Sequence, residues 1–485
     1  MRDSVVLYIN GRRHELKGEH AFATLSDYLR YERRLTGTKV VCAEGDCGAC
    51  TVLVGRAGSD RPWRFEPVNA CIVQMLQLDG SHVLTIEAVA QPDGSLHEVQ
   101  RAMCENHGSQ CGFCTPGFVM AMLGHFEHHP HRPADRKEIA NHLTGNLCRC
   151  TGYLPILDAA ADVRPERLQS VVARLHTEPL QRALTESTER PLSIAVEGRG
   201  RLDAPTTLDA LLSLRAAHPD ARITAGNTDL GVMINKQKLW PAGSSRHAIT
   251  THKVAELDHV TVHEGVVTVG AAATLGALER ACETSVPELA KLLRVFASPQ
   301  IKATATLMGN VANGSPIGDT LPALFALGAE VEAQSLRGAR WIPIDALYVG
   351  YRALSIAPDE VLTRVRFSVP GDVAVFRAYK VCQRKDLDIS FVGASFYLER
   401  SAGVVTRARV AYGGVGPTVM RLPAIEARLQ GTAISDTQAW DAIADELAAS
   451  LSPRSDLRGS LEARKILSAN LLRKFANELR AEVSA

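Results

Sequence analysis

The chain has 485 residues and carries 54 Lys and Arg against 53 Asp and Glu, for a net charge of +1. That balance gives no support to nucleic-acid or membrane-surface binding, and 22% charged with 46% hydrophobic residues is an ordinary globular profile. The length exceeds one core and predicts three or four domains. No apolar run of about 18 residues exists to span a bilayer. Arg2, Asp3 and the Asn10-Gly11 turn break any signal-peptide core. Clustered cysteines without an export signal point to metal ligation in a reducing cytoplasm rather than to disulfides.

Residues 4–10 and 12–16 alternate like two strands about an Asn10-Gly11 turn. Leu25, Tyr28, Leu29 and Leu35 then share one helix face, with Gly37 as the stop. Hairpin, helix and cysteine loop is the order in which a β-grasp ferredoxin domain begins, so one is expected over residues 1–90. Cys42, Cys47, Cys50 and Cys71 form a C-x4-C-x2-C…C run, the plant-type [2Fe–2S] spacing. Gly45 and Gly48 let the backbone wrap a cluster and turn bare amides toward its sulfides. Cys71 is expected at the start of a helix. Buried thiols or a four-cysteine zinc site are the alternatives, and zinc sites rarely use this spacing.

Residues 91–165 read as helical. Helices are expected over 94–107 and 116–128, then one opened by Asp135 with Glu138 and ended by Gly145, and a fourth after TGYLP. Cys111, Cys114, Cys148 and Cys150 form a second ligand set at helix ends, where unpaired amides face a cluster. Two clusters in one chain imply a relay for single electrons. Cys104 fits neither set and reads as a buried helix thiol. His125, His128, His129 and His131 lie at a helix tail, where protonated imidazoles suit the dipole, and read as a solvated end. A metal site there would need an i, i+4 pair with a carboxylate.

Residues 166–200 lose apolar periodicity and read as a linker running over the surface. Beyond it come a helix, a short strand and a Gly-Asn loop at ITAGNTDLG, then a second such loop at TATLMGN. Two Gly/Asn/Thr turns, each feeding a helix, suit the two phosphates of a dinucleotide. No G-x-G-x-x-G stands where a Rossmann unit needs it. Three strands are expected from residue 373, then two helices, the last with Leu467, Leu471, Phe475 and Leu479 on its core face. The loop 382–388, with Arg384 and Lys385, is either a solvated loop or a site for an anionic acceptor.

SQCGFCTPGFVM, TGNLCRCTGYLPI and CAEGDCGACTV resemble the iron–sulfur domains of the xanthine oxidase family of molybdenum hydroxylases. ITAGNTDLG and GN…SPIGD resemble that family's flavin domain. The resemblance implies a multidomain α+β chain. Its parts are the β-grasp ferredoxin domain, a helical-bundle [2Fe–2S] domain over 91–165, a vanillyl-alcohol-oxidase-like FAD-binding α/β domain over 201–370 and a C-terminal α+β flavoprotein domain over 371–485.

By the same resemblance Ile223, Thr224, Ala225, Gly226, Asn227, Thr228, Asp229 and Leu230 wrap the FAD pyrophosphate. Thr306, Leu307, Met308, Gly309, Asn310 and Asp319 hold its remaining phosphate, ribose and adenine arm. Phe296 and Lys380 lie near the isoalloxazine. Met308 departs from the glycine usual in the family. Gln110 reaches a molybdenum–pterin cofactor on a partner, with Cys150 beside it.

The sequence stops where the family's molybdenum domain would begin, so no catalytic residue is expected on it. The resemblance implies a large molybdenum-cofactor subunit as partner, in a cytoplasmic heterotetramer of two small and two large subunits. Electrons are expected to pass through the two [2Fe–2S] clusters to FAD and on to NAD⁺. The alternatives are the same subunit of an aldehyde, nicotinate or aryl-CoA hydroxylase, or a self-contained flavin–ferredoxin reductase.

Overall fold

Asn10 and Gly11 both take positive φ, 50° and 79°, as a two-residue hairpin turn requires. The hairpin pairs Val5–Ile9 with Arg12–Leu16 in the register Val5↔Leu16 to Ile9↔Arg12. The computed structural model describes residues 1–56, 63–198, 200–237 and 246–484. Short stretches of the expected first domain, linker and FAD domain therefore lie outside the described residues. The chain divides into two units, Met1–Asp258 with Ala297–Ala305, and His259–Phe296 with Thr306–Ala485.

In the first unit the hairpin joins a five-stranded sheet ordered Arg12–Leu16, Val5–Ile9, His82–Leu84, Thr51–Arg56 and Arg64–Asn69. Val5–Ile9 runs parallel to His82–Leu84 and the other neighbours are antiparallel. Period-2 alternation sends Val52, Val54 and Val83 to one face with Leu25 and Leu29, and Leu53, Phe65 and Leu84 to the other. That second face packs on Val99, Met103, Phe118, Met122, Ile139 and Ile156. These come from four helices, Glu98–Glu105, Thr115–His128, Arg136–His142 and Leu154–Ala161. Asp135 caps the third by accepting from the Lys137 and Glu138 amides.

The stretch expected as a linker is instead structured. It holds the helices Val171–Leu175 and Glu178–Thr188 and the strand Leu192–Val196. Leu180 and Leu184, one helical turn apart, are buried, as are Leu192 and Ile194 at strand spacing. Scattered charges hid these short apolar repeats. Leu192–Val196 opens a second sheet with Gly200–Ala204, His247–Thr250 and Arg222–Thr224. Arg2 bridges to Leu192, so the N-terminal segment ties the two sheets.

Asp79 fastens the same junction from inside. Its carboxylate accepts from Arg2 Nη1 at 2.9 Å and from the Val6 amide at 3.0 Å, and pairs with Lys253 Nζ. Its side chain is fully buried and that of Lys253 is 2% exposed.

The second unit contains an antiparallel sheet of Val260–His263, Val266–Gly270, Val361–Ser368, Glu330–Ser335 and Gly338–Pro343. It also contains a four-stranded antiparallel sheet whose long strands, Ala374–Val381, Val392–Ser401 and Val404–Gly413, lie where the sequence predicts them. Helices Pro423–Leu429, Thr437–Ser450 and Leu461–Ser484 supply the core partners of this sheet. Phe396 stacks on Phe475 with centroids 4.8 Å apart, and of the expected stripe Leu471, Phe475 and Leu479 are buried and Leu467 is part-buried. Among the described residues no helix is long and apolar enough to cross a membrane.

The Asp79 junction is testable. Burial raises the Asp79 pKa, but the Arg2 and Lys253 charges outweigh it and hold the carboxyl below its ordinary value. Its contribution is complete above the unfolded pKa of about 3.9 and is lost as pH falls through the depressed folded value. Asp79→Asn strands the buried Lys253 and removes the carboxylate from part-buried Arg2, and should cost about 3–5 kcal/mol in urea unfolding at neutral pH. Adding Lys253→Met should recover part of that loss.

Candidate functional site

The loop bearing the first cysteine set turns on Ala43, Gly45 and Gly48, with φ of 56°, 80° and 67°. Asn69 Nδ2 donates to the Gly45 carbonyl at 2.7 Å and fixes the bend. Cys42 and Cys47 are half-buried, while Cys50 and Cys71 are buried. Cys71 lies in a turn before the short helix Met75–Leu78, not at a helix start as expected.

The four thiols interact as a set. Hydrogen bonds from the Cys47 and Cys71 thiols push the Cys42 pKa far down. The same contacts with Cys42, joined by Cys50 at Cys71, push Cys47 and Cys71 far up. One sulfur takes the negative charge at its neighbours' expense, so a full set of thiolates needs a bound cation. Thiolates on one tetrahedral zinc stand about 3.8 Å apart. Among the described residues, the trio of metal-capable atoms gathered within 4.8 Å is not one of cysteines. No three of these sulfurs lie mutually within 4.8 Å, a wider spread than the ligands of one tetrahedral ion.

The second set meets in pairs. Cys111, its pKa lowered by the Phe113 amide and then by the Cys150 thiol, touches Cys150, which is raised by the same contact. Burial and then Cys148 push Cys114 up to about 12. Burial works against the Cys148 thiolate, but the Thr151 hydroxyl and amide outweigh it and lower its pKa. Cys114 caps Thr115–His128, and the Cys148 amide donates to Tyr153 Oη at 3.1 Å. Cys111 and Cys150 are exposed, as are Gln110, Phe113, Tyr153 and Leu154. Cys104 is exposed as well, not buried, because it faces away from the core side of its helix.

Direct hydrogen bonds join these sets. The Leu147 amide, next to Cys148, donates to the Cys47 carbonyl at 3.0 Å. Asn146 Nδ2 donates to the Gly48 carbonyl at 3.0 Å, and Gln300 Nε2 donates to Asn146 Oδ1 at 2.7 Å. On the other side of the first set, Asn235 Nδ2 donates to the carbonyls of Ala43 at 2.8 Å and Cys71 at 2.9 Å. Sequence reasoning missed Asn69, Asn146, Asn235 and Gln300, because no spacing marks an amide that bridges distant segments. Asn146→Ala would take one donor from the Gly48 carbonyl, which keeps the Thr51 amide and hydroxyl, and would leave Gln300 Nε2 only its 3.3 Å bond to Thr51 Oγ1. It should cost about 1–2 kcal/mol in chemical unfolding.

Asn235 lies on the helix Thr228–Gln237, which follows the first dinucleotide-type loop. Arg222–Thr224 is the strand before it, and Asn227 turns the loop at φ 55°. A Cβ on Gly226 would stand 2.0 Å from the Thr304 carbonyl, so protein backbone already demands glycine there. Ile223, Ala225 and Thr228 are part-buried, Leu230 is buried and Asp229 is exposed. Thr224 Oγ1 is buried with no hydrogen-bond partner, a donor fit for a cofactor phosphate.

The second loop belongs to the other unit. Thr306 caps Leu307–Asn313 by accepting from the Gly309 amide at 2.9 Å. Met308 lies buried in this first turn without positive φ, so the helix accommodates its side chain. Asn310 Oδ1 accepts from Thr320 Oγ1. Asp319 pairs with Lys380 Nζ at 2.8 Å, and Lys380 also donates to the carbonyl of Val295, the neighbour of half-buried Phe296. Asp319 and Lys380 thus form one buried ion pair. In the loop 382–388, Arg384 donates to the Leu387 carbonyl at 2.6 Å and remains exposed.

The histidine cluster also departs from expectation. His125 is 3% exposed, and burial, reinforced by His142 and His129, holds its pKa at about 3. It is a neutral core imidazole, not a solvated cation, because the helix tail is covered by Arg136–His142. His131 is exposed.

Residues 199–370 match the FAD binding domain in molybdopterin dehydrogenase, 85–161 a [2Fe-2S] binding domain, and 377–479 the CO dehydrogenase flavoprotein C-terminal domain. Xanthine dehydrogenase of Drosophila subobscura is 32% identical over 97% of this chain and 39% of its own length. Aldehyde oxidase 4 of Cavia porcellus is 31% identical over 98% of this chain and 39% of its own. The chain therefore spans about two fifths of these relatives. Reconstituted CO dehydrogenase from Oligotropha carboxidovorans is 27% identical, with a TM-score of 0.52 over 56% of this chain and 94% of its own. Together the three domain matches and these relatives support the chain as the iron–sulfur and FAD portion of a molybdenum hydroxylase of the xanthine oxidase family.

Proposed function

We propose that the chain is the small subunit of a bacterial-type xanthine dehydrogenase, in a heterotetramer with two large molybdenum-cofactor subunits. It passes electrons through two [2Fe–2S] clusters and FAD to NAD⁺ as hypoxanthine and xanthine become urate. The observation that carries this reading is the order of direct links. The second cysteine set connects to the first through Leu147 and Cys47, and the first connects to the helix of the dinucleotide-type loop through Asn235.

Each residue has a role in that reading. Cys111, Cys114, Cys148 and Cys150 hold the partner-facing cluster. Exposure of Cys111, Cys150 and Gln110 beside Phe113, Tyr153 and Leu154 leaves that end open to a large subunit. Cys42, Cys47, Cys50 and Cys71 hold the inner cluster, in a more buried setting. The loop from Ile223 to Leu230 binds the FAD pyrophosphate, while Thr306, Asn310, Asp319, Phe296 and Lys380 bind and orient the rest of the cofactor. FAD, when bound, supplies the exchange between single electrons and a hydride.

The native complex should contain molybdenum, with about four iron and four sulfide atoms per small subunit, and should form NADH on addition of xanthine. Zinc in place of iron would remove the cluster assignment. Turnover of aldehydes alone would transfer the subunit to another hydroxylase, and reduction of O₂ without NAD⁺ would make the enzyme an oxidase.

Gly226→Val cannot test the FAD loop cleanly, since it collides with Thr304. Thr224→Val keeps the shape and removes only the unpartnered hydroxyl. It should hold iron and unfold no earlier than wild type without FAD, yet retain FAD about tenfold more weakly on dialysis. Unchanged retention would remove Thr224 from the cofactor site.

A further inference from the structure

We infer that His125, His129 and Glu138 form a binding site for a divalent transition metal, zinc foremost, separate from both cysteine sets. His125 and His129 stand one helical turn apart at the end of Thr115–His128, so both imidazoles project from one face. Glu138 enters from the first turn of Arg136–His142. One ligand atom from each residue lies within 4.8 Å of the other two, and His129 Nε2 is 3.8 Å from the Glu138 carboxylate. Zinc bonds of about 2.0–2.1 Å place ligands about 3.3 Å apart, so modest side-chain rotations close the set.

Two imidazoles and a carboxylate suit zinc over calcium or magnesium, which prefer oxygen ligands. His125 is buried, whereas His129 and Glu138 are 40% and 36% exposed, so an ion enters from solvent and keeps a water in its fourth position. Arg132, 53% exposed and 2.7 Å from Glu138, neutralises that carboxylate and swings away when a dication arrives. On the same helix end His128 Nε2, buried without a hydrogen bond, lies 3.5 Å from Glu66 of the strand Arg64–Asn69. The ion would clasp the helix that begins after Cys114 to the helix that leads toward Cys148, bracing the second ligand set from behind.

The test is equilibrium dialysis of cluster-loaded protein against buffered zinc, with iron measured in the same samples. Wild type should take up one zinc per chain with no loss of iron. His129→Ala and Glu138→Gln should each weaken binding at least tenfold while keeping their iron, which reports an intact fold. Arg132→Ala should tighten binding severalfold by freeing Glu138, and exposed His131→Ala should leave it unchanged. Zinc uptake that persists in the His129→Ala/Glu138→Gln double variant, or that occurs only as iron leaves, would overturn the site.

Discussion

Three segments of the first unit approach one another at glycines, with only the Asn146 side chain reaching between them, and the placement of the two cysteine sets depends on that contact. A Cβ on Gly117 would stand 2.2 Å from the Gly48 carbonyl, and one on Gly48 would stand 2.2 Å from the Gly145 carbonyl. Any Cβ there would force the cysteine loops apart, because no backbone can shift in so tight a junction without moving both ligand sets. The approach lets Leu147 reach the Cys47 carbonyl and lets Asn146 span Gly48 and Gln300. A hydrogen-bonded path between two ligand sets is thus a consequence of packing.

Around this junction, buried polar groups hold registry more than they add stability. Asp79 with Lys253, and Asn146 with Gln300, are buried, and each pair also bonds other segments: Asp79 accepts from Arg2 and the Val6 amide, and Asn146 donates to the Gly48 carbonyl. Desolvation offsets most of what such pairs gain, so their consequence is a single allowed arrangement of the segments they join. Asp79 sets the iron–sulfur sheet against the sheet carrying the Thr224 loop, and Asn235 ties that loop's helix to the Cys71 carbonyl. Within this frame the thiols of the first set share hydrogen bonds, so Cys42 holds negative charge at the expense of Cys47 and Cys71.

Much of this was legible in the residue order. Asn10-Gly11 foretold the hairpin, Asp135 the helix cap, and the apolar spacing of the last helix its buried stripe, because each depends on neighbours within a few positions. Cysteine spacing marked two ligand sets for the same reason. Errors arose where solvent contact is set by distant segments. Cys104 is exposed and His125 buried because the packing of the helical region decides which face of each helix meets water. Residues 166–200 read as polar until Leu180, Leu184, Leu192 and Ile194 found partners elsewhere in the unit.

The sequence by itself determined the chemistry available: eight thiols in two local patterns, glycines where the backbone must turn left-handed, and two hydroxyl- and amide-rich loops before helices. Those are short-range properties, encoded in spacing and backbone preference. Only the tertiary structure decided which sulfurs touch, that Leu147 meets Cys47, that the Thr224 hydroxyl is left without a partner, and that a helix tail of histidines closes on Glu138. Their separations run from five positions between Cys42 and Cys47, and nine between His129 and Glu138, to one hundred between Cys47 and Leu147. Local propensity carries no information about such distances, because burial and hydrogen-bond pairing are settled by the packing of the whole unit.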